Sequence, residues 1–573
     1  MYPKLVRIKK GDGREIVYLR LIEKHYQDGK QKERIIANLG RQDVEGRKAL
    51  GNLLKRLRRF TDEVLVTPEE IESRNAKDYG CVLVTQKLWQ EIGLGKWIRE
   101  VCGKPLQGSL GEPGVLAMVL NRLILPGSKL SLYDWMPTVY LPNWQTKKFK
   151  LPDEPEVFAE RFYRTMDWLI KGKNKERIES EIIAWAIKLF PIDIIFYDIT
   201  NIQFEGWKEL KQARYGYIRL GKKNHKQILL GVVMVDGLPV TCHIFRGNRA
   251  EKTTLLWVKN KVKKQFNVGR VVFVCDRGLV SEESLTEIEV KGDGYIVALK
   301  RRRVKETEFI LQQDIASFTP IQTGEKGEVL LYAWEAPEDE GKRRVVAYNP
   351  TRAKEEKEKR EDIIRELEEG LQGLKARVEA GKVKKTQAIV TACERILSHK
   401  HGKRYFTYEV SKDGHFQFGL HEKNLALEEN LDGKFVIKTT EHNFPMDKVI
   451  FKYKDLMDVE DSFRDLKDFI RVAPVFHWRY RRVKAHIFIC VLALLLERYL
   501  EQKLKKQRIH LSARKALKKF GDIKVVENQV GNLILKYVTP PSQELGKLLS
   551  ACGIFKLPKI LDDVQHVNKI RHK

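Results

Sequence analysis

Apolar positions recur along the chain with two different periods, and the change from one to the other divides it. IVYLRLIEKHY and QKERIIANLG alternate as short strands do, and KALGNLLKRLRRF continues as a basic helix. Thr85 to Trp97 and Gly114 to Leu125 read as helices, and PGSKLSLYDWM (Pro126 to Met136) opens another. From Pro191 the pattern changes. IDIIFYD, Ile192 to Asp198, is an almost unbroken apolar run of the kind found in a strand covered on both faces, opened by Asp193 and with Asp198 at its far end. QILLGVVMV and LPVTCHIF follow, joined by Asp236-Gly237, a dipeptide that favours a tight hairpin turn. A helix from about Glu251 to Phe266 leads to VVFVCDRG, a second buried strand that terminates in Asp276. Ser281 suits the N-cap of the next helix, and YIVALK (Tyr295 to Lys300) is a fifth strand.

Residues 301–445 then read as an α+β insertion. It holds the basic segment KRRRVKETEF, the strand-like VLLYAWEA and RYFTYEV, and a charged helical pair. Ile363, Leu367, Leu371, Leu374 and Val378 form the stripe of its first helix, which Gly381 ends before VKKTQAIVTACERIL. The pair suits a helical hairpin packed on the body or a contact with DNA or a second protomer. Trp334 is either a half-buried strand residue or a stacking surface for a base.

After the insertion comes YKDLMDVEDSFRDLK, Tyr453 to Lys467. On a helix, Leu456, Val459, Phe463, Leu466 and Ile470 make a buried stripe. Tyr453, Leu456, Glu460, Arg464 and Lys467 lie along one edge of it, and Asp458, Asp461, Asp465 and Asp468 project from the solvated side. Glu460 is thus the carboxylate that borders the core, in line with two cations and a phenol. Taken alone, the segment also suits a surface helix with scattered charges.

Charge narrows the choice. The 573-residue chain carries 107 Lys and Arg against 77 Asp and Glu, a net of +30, which makes a long polyanion such as nucleic acid the leading partner. The surplus is clustered. Residues 1–60 hold 17 basic residues against 7 acids, a net of +10. RVAPVFHWRYRRVK (Arg471 to Lys484) has five basic residues, no acid and three interleaved aromatic rings, and Lys503 to Lys519 has eight basic residues and no acid. Three such stretches fit contacts to phosphates and strongly salt-dependent binding. His225 and His477 are candidates for phosphate or base contact, or plain structural histidines. IFICVLALLL, Ile487 to Leu496, is too short to span a bilayer and reads as a core helix, so no membrane partner is expected. MYPKLVRIKK has no apolar segment behind its basic residues, so no signal peptide is read. Seven cysteines without a CxxC pair argue against a zinc finger or disulfide framework and fit a reducing cytoplasm.

The strand order from Ile192 to Lys300 is that of an RNase H-like mixed sheet with helices. In such a sheet two strand-end acids meet a third from a later helix, and Asp198, Asp276 and Glu460 occupy those places. Hard oxygen ligands of this kind hold Mg2+. Two such ions activate the attacking oxygen and stabilise the leaving one in phosphoryl transfer. The resulting map is a basic β/α domain over 1–75, a helical DNA-binding region over 76–190, the catalytic core over 191–300 and 446–500, the insertion over 301–445, and a basic helical region over 501–573.

Together these motifs resemble the DDE transposases of bacterial insertion sequences, in the insertion-sequence-four superfamily, whose signature is Tyr-x2-Arg-x3-Glu-x6-Lys. Here it reads Tyr453, Leu456, Glu460 and Lys467 with every spacing kept. FYDITNIQFEG and VCDRGLVSEESL resemble the first and second acid motifs, and LDGKFVIKT and NRLILPGSKLSLYDW resemble flanking segments, over roughly residues 1–500. The resemblance implies Asp198, Asp276 and Glu460 as catalytic metal ligands for two Mg2+ ions, with Mn2+ able to substitute. It implies a homodimer on double-stranded DNA, with terminal inverted repeats cut at the element ends and the 3'-OH joined to target DNA, in a nucleoid-associated protein. Tyr453, Lys467, Arg277, Arg479, Arg481 and Arg482 are candidate DNA contacts. Leu456 stands where the family has Arg, and Arg464, one turn past Glu460, is the candidate to replace it. An RNase H-like nuclease or resolvase, or a catalytically inactive DNA-binding descendant, are the alternatives.

Overall fold

The computed structural model describes residues 1–573 apart from 12, 28, 58–59, 61–70, 143–151, 191–193, 207, 217–224, 267–268, 300–312, 325–326, 340, 531–532, 562–564 and 567–573. Asp193 and the KRRRVKETEF segment therefore lie outside the described residues. The chain divides into two compact units, residues 1–77 with 523–540 and 556–573, and residues 78–522 with 541–555.

The first unit contains two sheets. β1 (Tyr2–Lys9), β2 (Glu15–Gln27) and β3 (Lys30–Arg41) form an antiparallel meander on which the helix Val44–Leu57 packs. In the second sheet β4 (Ile71–Asp78) joins three strands from the other end of the chain, Lys524–Val530, Leu533–Val538 and Gln565–His566. The expected helical character of 501–573 is thus wrong over these strands. KVVENQV and LILKYV are β-branched and aliphatic runs separated by Gly531-Asn532, a hairpin signal masked in the sequence by the lysine-rich run before it.

The second unit opens with the helices Gly80–Ile92, Leu94–Cys102, Gly111–Ile124, Pro155–Leu169 and Asn174–Leu189. The helix expected over Thr85 to Trp97 divides at Gly93, whose left-handed φ of 95° lets its N–H donate back to Trp89 O and close the first helix. The sheet that follows runs β10-β11-β12-β15-β9-β8-β5-β6-β7. Its strands are β5 (Ile194–Gln203), β6 (Gln227–Val235), β7 (Leu238–Arg246), β8 (Val272–Cys275), β9 (Gly294–Ala298), β10 (Thr319–Thr323), β11 (Val329–Asp339), β12 (Lys342–Tyr348) and β15 (Lys434–Thr439). β5, β8 and β9 pair in parallel and the other neighbours are antiparallel. Every residue of β6 is buried, as its continuous apolar run requires. Asp236 and Gly237, both at positive φ, make the β6–β7 turn.

Residues 301–445 do not stand apart as a whole. β10, β11, β12 and β15 extend the sheet beyond β9, with Ile437 opposite Ala298, because β15 offers both its edges to antiparallel neighbours. The remainder has its own core. The helices Pro350–Glu379 and Thr386–Ser398 enclose Leu367, Leu371, Leu374, Ile389, Cys393 and Leu397 with Phe406 and Phe416 of the hairpin β13 (Phe406–Val410) and β14 (Phe416–Leu420). Asn349 caps the longer helix by accepting from Arg352 N–H at 2.9 Å, with Pro350 in its first turn. Trp334 is half-buried on β11 against Phe318.

The core of the unit is the 27-residue helix Tyr480–Lys506, buried from Ala485 to Glu497 without a break and packed against Gly111–Ile124, Pro155–Leu169 and β7. A helix apolar on all sides must be enclosed or cross a membrane. Among the described residues no helix is long and apolar enough to cross one. The seven cysteines form no disulfide.

Glu497, near the end of that buried run, is 2% exposed, and its Oε2 lies 3.3 Å from Arg498 Nε. Burial outweighs the guanidinium and pushes the carboxyl up to about 8. The folded chain therefore holds a proton that the unfolded chain releases above about 4.5, so this group costs stability as pH rises through that window to about 8. Glu497→Gln should flatten the decline in Tm across that range. Parallel pH profiles of wild type and variant by calorimetry would refute the assignment.

Candidate active site

The site begins with a short parallel ladder. Ile194, Ile195 and Phe196 of β5 stand opposite Val272, Phe273 and Val274 of β8. β8 stops at Cys275, whereas β5 runs on to Gln203 with β6 alone beside it, Asp198 opposite Val232. Asp198 is therefore not at the end of its strand, as expected, but at the point where β5 loses β8. Register places it level with Asp276, each two residues beyond the paired Phe196 and Val274. Asp276 keeps extended angles, φ −71° and ψ 150°, so the pleat turns both side chains to one face, on strands about 4.8 Å apart. Asp276 Oδ1 accepts from Arg277 N–H at 2.8 Å and caps the turn Arg277–Leu279, and Asp198 Oδ1 accepts from Ile199 N–H at 2.7 Å.

The third acid arrives on the helix Leu456–Asp468, which packs on β5 through its buried Leu456, Val459, Phe463 and Leu466. The single helix expected from Tyr453 to Lys467 is two. Met446–Lys454 packs on β8, β9 and β15 and carries Tyr453, and a new helix starts after Asp455, whose C=O accepts from Asp458 N–H at 3.1 Å. The two helices serve different strands, so the chain turns between them. Glu460 is exposed, and Leu456 is buried at 4% exposure in the position where the signature has Arg.

Electrostatics link the three acids. The Cys275 thiol is raised well above its usual value by burial and then by Asp276 and Asp198. The Tyr453 phenol is raised by burial, Asp276, Cys275 and Glu460, against the opposing charge of Arg352. Asp276 thus acts on both groups, Asp198 on the thiol and Glu460 on the phenol. Among the described residues, no three His, Cys, Asp or Glu side chains converge closely enough to hold a metal ion. Carboxylate oxygens such as those of Asp198, Asp276 and Glu460 are hard donors of the kind that divalent hard cations take.

The expected DNA contacts fall into separate places. Arg464 is exposed and pairs with Asp461, and Lys467 is half-buried on the same helix. Arg277 is buried, both of its terminal nitrogens 3.3 Å from Glu282. Arg479 lies over the Trp478 ring at 4.7 Å. Arg481 Nε is 2.8 Å and Arg482 Nη2 3.1 Å from Asp167, and Arg482 also covers Tyr163. Asp465, expected on the solvated side, is half-buried and bound to Arg498, because the neighbouring central helix covers that flank. His477 is pushed down to about 3 by burial and then by Lys129, Arg482 and Arg122, so it is neutral. His225 is half-buried. Arg352, in the first turn of Pro350–Glu379, acts on Tyr453 and had no sequence signal, since it stands a hundred residues from the signature.

Comparison with known proteins gives the family of the chain, one of enzymes that cut and move DNA. The model of the transposase DDE domain matches residues 189–496, more than half of the chain, and that of the IS1634 family transposase N-terminal domain matches residues 4–71. The chain belongs to the DDE transposases of bacterial insertion sequences. A solved structure, the cryo-EM structure of the piggyBac transposase synaptic complex with hairpin DNA, aligns at a TM-score of 0.36 and 10% identity, covering 80% of this chain and 82% of that one. No curated protein matches the chain. DDE domains generally use divalent metal ions.

The local hydrogen bond of Asp276 separates a structural role from a functional one. Asn can cap the same turn, so Asp276→Asn should hold Tm within about 2 °C of wild type in EDTA. A much larger fall in a thermal melt would show that the carboxylate is structural.

Proposed function

We propose that Asp198, Asp276 and Glu460 form the catalytic and metal-holding carboxylates of an RNase H-like core that cleaves double-stranded DNA at the terminal inverted repeats and joins the freed 3'-OH to target DNA. The level placement of Asp198 and Asp276 beyond one parallel ladder carries this reading. The RNase H-like assignment is supported by the strand order β9-β8-β5-β6-β7, in which the first strand of the core is central, its hairpin partners lie on one side and the later parallel strands on the other.

Divalent cations held by these carboxylates would supply Lewis-acid stabilisation of the attacking and leaving oxygens. The chain's own groups do the rest. Lys467 and the exposed Arg464 are placed one to two turns past Glu460 to hold phosphates beside the scissile bond, Arg464 taking the part that buried Leu456 cannot. Tyr453, kept protonated by burial and the neighbouring acids, can donate its phenol to a phosphate oxygen. Arg479, Arg481 and Arg482, with the basic residues of 1–75 and 76–190, extend the DNA contact, and two protomers pair the two element ends on nucleoid DNA.

A fragment spanning one terminal repeat, taken from the DNA flanking the reading frame, tests the reading. Wild type should cleave at the element boundary with Mg2+ or Mn2+ and not in EDTA, and Glu460→Gln should lose cleavage by at least a hundredfold while still binding. Metal-dependent cutting away from the boundary would indicate a nuclease or resolvase, and binding without cutting an inactive descendant.

Displayed and buried cations should also behave differently. Arg464→Ala is expected to lower the slope of log K against log salt by about one for the repeat duplex, whereas Arg277→Ala leaves that slope unchanged. Equal slopes for Arg464→Ala and wild type would remove Arg464 from the phosphate contacts.

A further inference from the structure

A cleft of about 460 Å3 lies between the turn that follows helix Gly111–Ile124, the loop 471–478 and the first turn of Tyr480–Lys506. Its lining includes Arg122, Lys129, Arg471, Arg479 and Arg482 and not one carboxylate. Lys129 is the anomaly. It is 4% exposed, and burial and then the neighbouring Arg122 push its ammonium down to about 7. Arg122 is also buried, its guanidinium fixed by the carbonyls of Gly127 at 2.6 Å and Arg471 at 3.0 Å, with Nε left without a partner. His486 gives Nε2 to Val472 O at 3.0 Å and leaves a buried Nδ1 unpartnered. Cations buried without counter-charge are costly, and an anion in the cleft would offset that cost. The positive end of the 27-residue helix favours the same occupant.

The rim adds an aromatic element. Phe476 lines the cleft with 62% of its surface exposed, an apolar ring left in water among cations. The loop that carries it is tied to the catalytic strand: Val475 N–H donates to Gln203 O, and Glu205 N–H donates to Val475 O, both at 2.9 Å. Phe204, level with Val475, is six residues beyond Asp198, or about 20 Å along an extended strand, equal to about six base steps of B-form DNA.

We propose that this cleft seats one unpaired nucleotide of a DNA strand, its phosphate on Lys129 beside the fixed Arg122 and its base against Phe476. Phosphate alone would satisfy the cations but not the exposed ring, and an aromatic platform beside a basic groove is the chemistry of single-strand binding. The proposal rests on DNA being the polyanion that the chain binds, and it is independent of cleavage.

The test uses the full chain in EDTA, so that cutting plays no part. The probes are a 12-nucleotide single strand carrying 2-aminopurine, a blunt duplex of the same sequence, and inorganic phosphate. Wild type should change the 2-aminopurine fluorescence on binding. Phe476→Ala, at an exposed position, should abolish that change and lower the ratio of single-strand to duplex affinity about tenfold. Lys129→Met, which keeps the volume of the buried stem, should lower the single-strand salt slope by about one. Unchanged fluorescence and affinity ratio in Phe476→Ala would overturn the proposal. Displacement of the strand by millimolar inorganic phosphate, with a fluorescence change that survives Phe476→Ala, would also overturn it and leave a simple phosphate site. Loss of metal-dependent cleavage in the repeat assay with this fluorescence response intact would discard the catalytic reading alone.

Discussion

The site depends on the short parallel pairing of β5 with β8. A strand covered on both faces by packed layers cannot carry a charge inside the ladder, because neither face offers water or a counter-ion. Ile194 to Phe196 and Val272 to Val274 obey this constraint without exception. The first carboxylates on the two strands can therefore appear only beyond the last pair, and both do so after the same number of residues. Equal spacing past a fixed register is what brings two side chains remote in sequence to one level and one face. A one-residue slip of β8 would send Asp276 to the opposite face of the sheet.

The third acid is positioned by a different kind of contact. Glu460 is carried on a helix whose apolar stripe docks on β5 while its charged edge looks outward. The docking is reinforced from behind, where Arg498 of the central helix takes Asp465. A carboxylate on the far flank is thus spent on orientation, while Glu460 stays exposed on the outward edge of the helix. Two groups respond to these acids: burial and then Asp276 and Asp198 raise the Cys275 thiol, and burial and then Asp276, Cys275 and Glu460 raise the Tyr453 phenol. Both are held in their neutral forms, which spares the site a further negative charge.

Much of this arrangement was legible in the sequence, and the failures have identifiable causes. The order of strands from β5 to β9, the Asp236-Gly237 turn and the stripe Leu456, Val459, Phe463, Leu466 were readable because each is a local pattern with a fixed period. Asp198 was misplaced as a strand end because periodicity reports burial, and β5 stays buried beside β6 after β8 has stopped. The break after Tyr453 was invisible for a related reason: both flanking segments are helical, and only the different strands they pack on make the chain turn. The strands of 523–540 were hidden by composition, since eight basic residues over Lys503 to Lys519 bias the whole tail toward a helical, solvated reading. Pairing across several hundred residues, as between β4 and Lys524–Val530, leaves no local trace at all.

The insertion is where local and long-range structure meet. Its helical pair has a core of its own, yet the strands on either side of that pair, β12 and β15, are bonded to each other and through β15 to β9. The long helix Pro350–Glu379 starts one residue after its capping Asn349, directly from β12, so its first turn is held by the sheet while its far end extends 30 residues away. Arg352 sits in that fixed first turn and acts on Tyr453. A cation beside the signature phenol is therefore supplied from outside the segments that carry the acids. The insertion is thus built into the electrostatics of the site as well as appended to its edge.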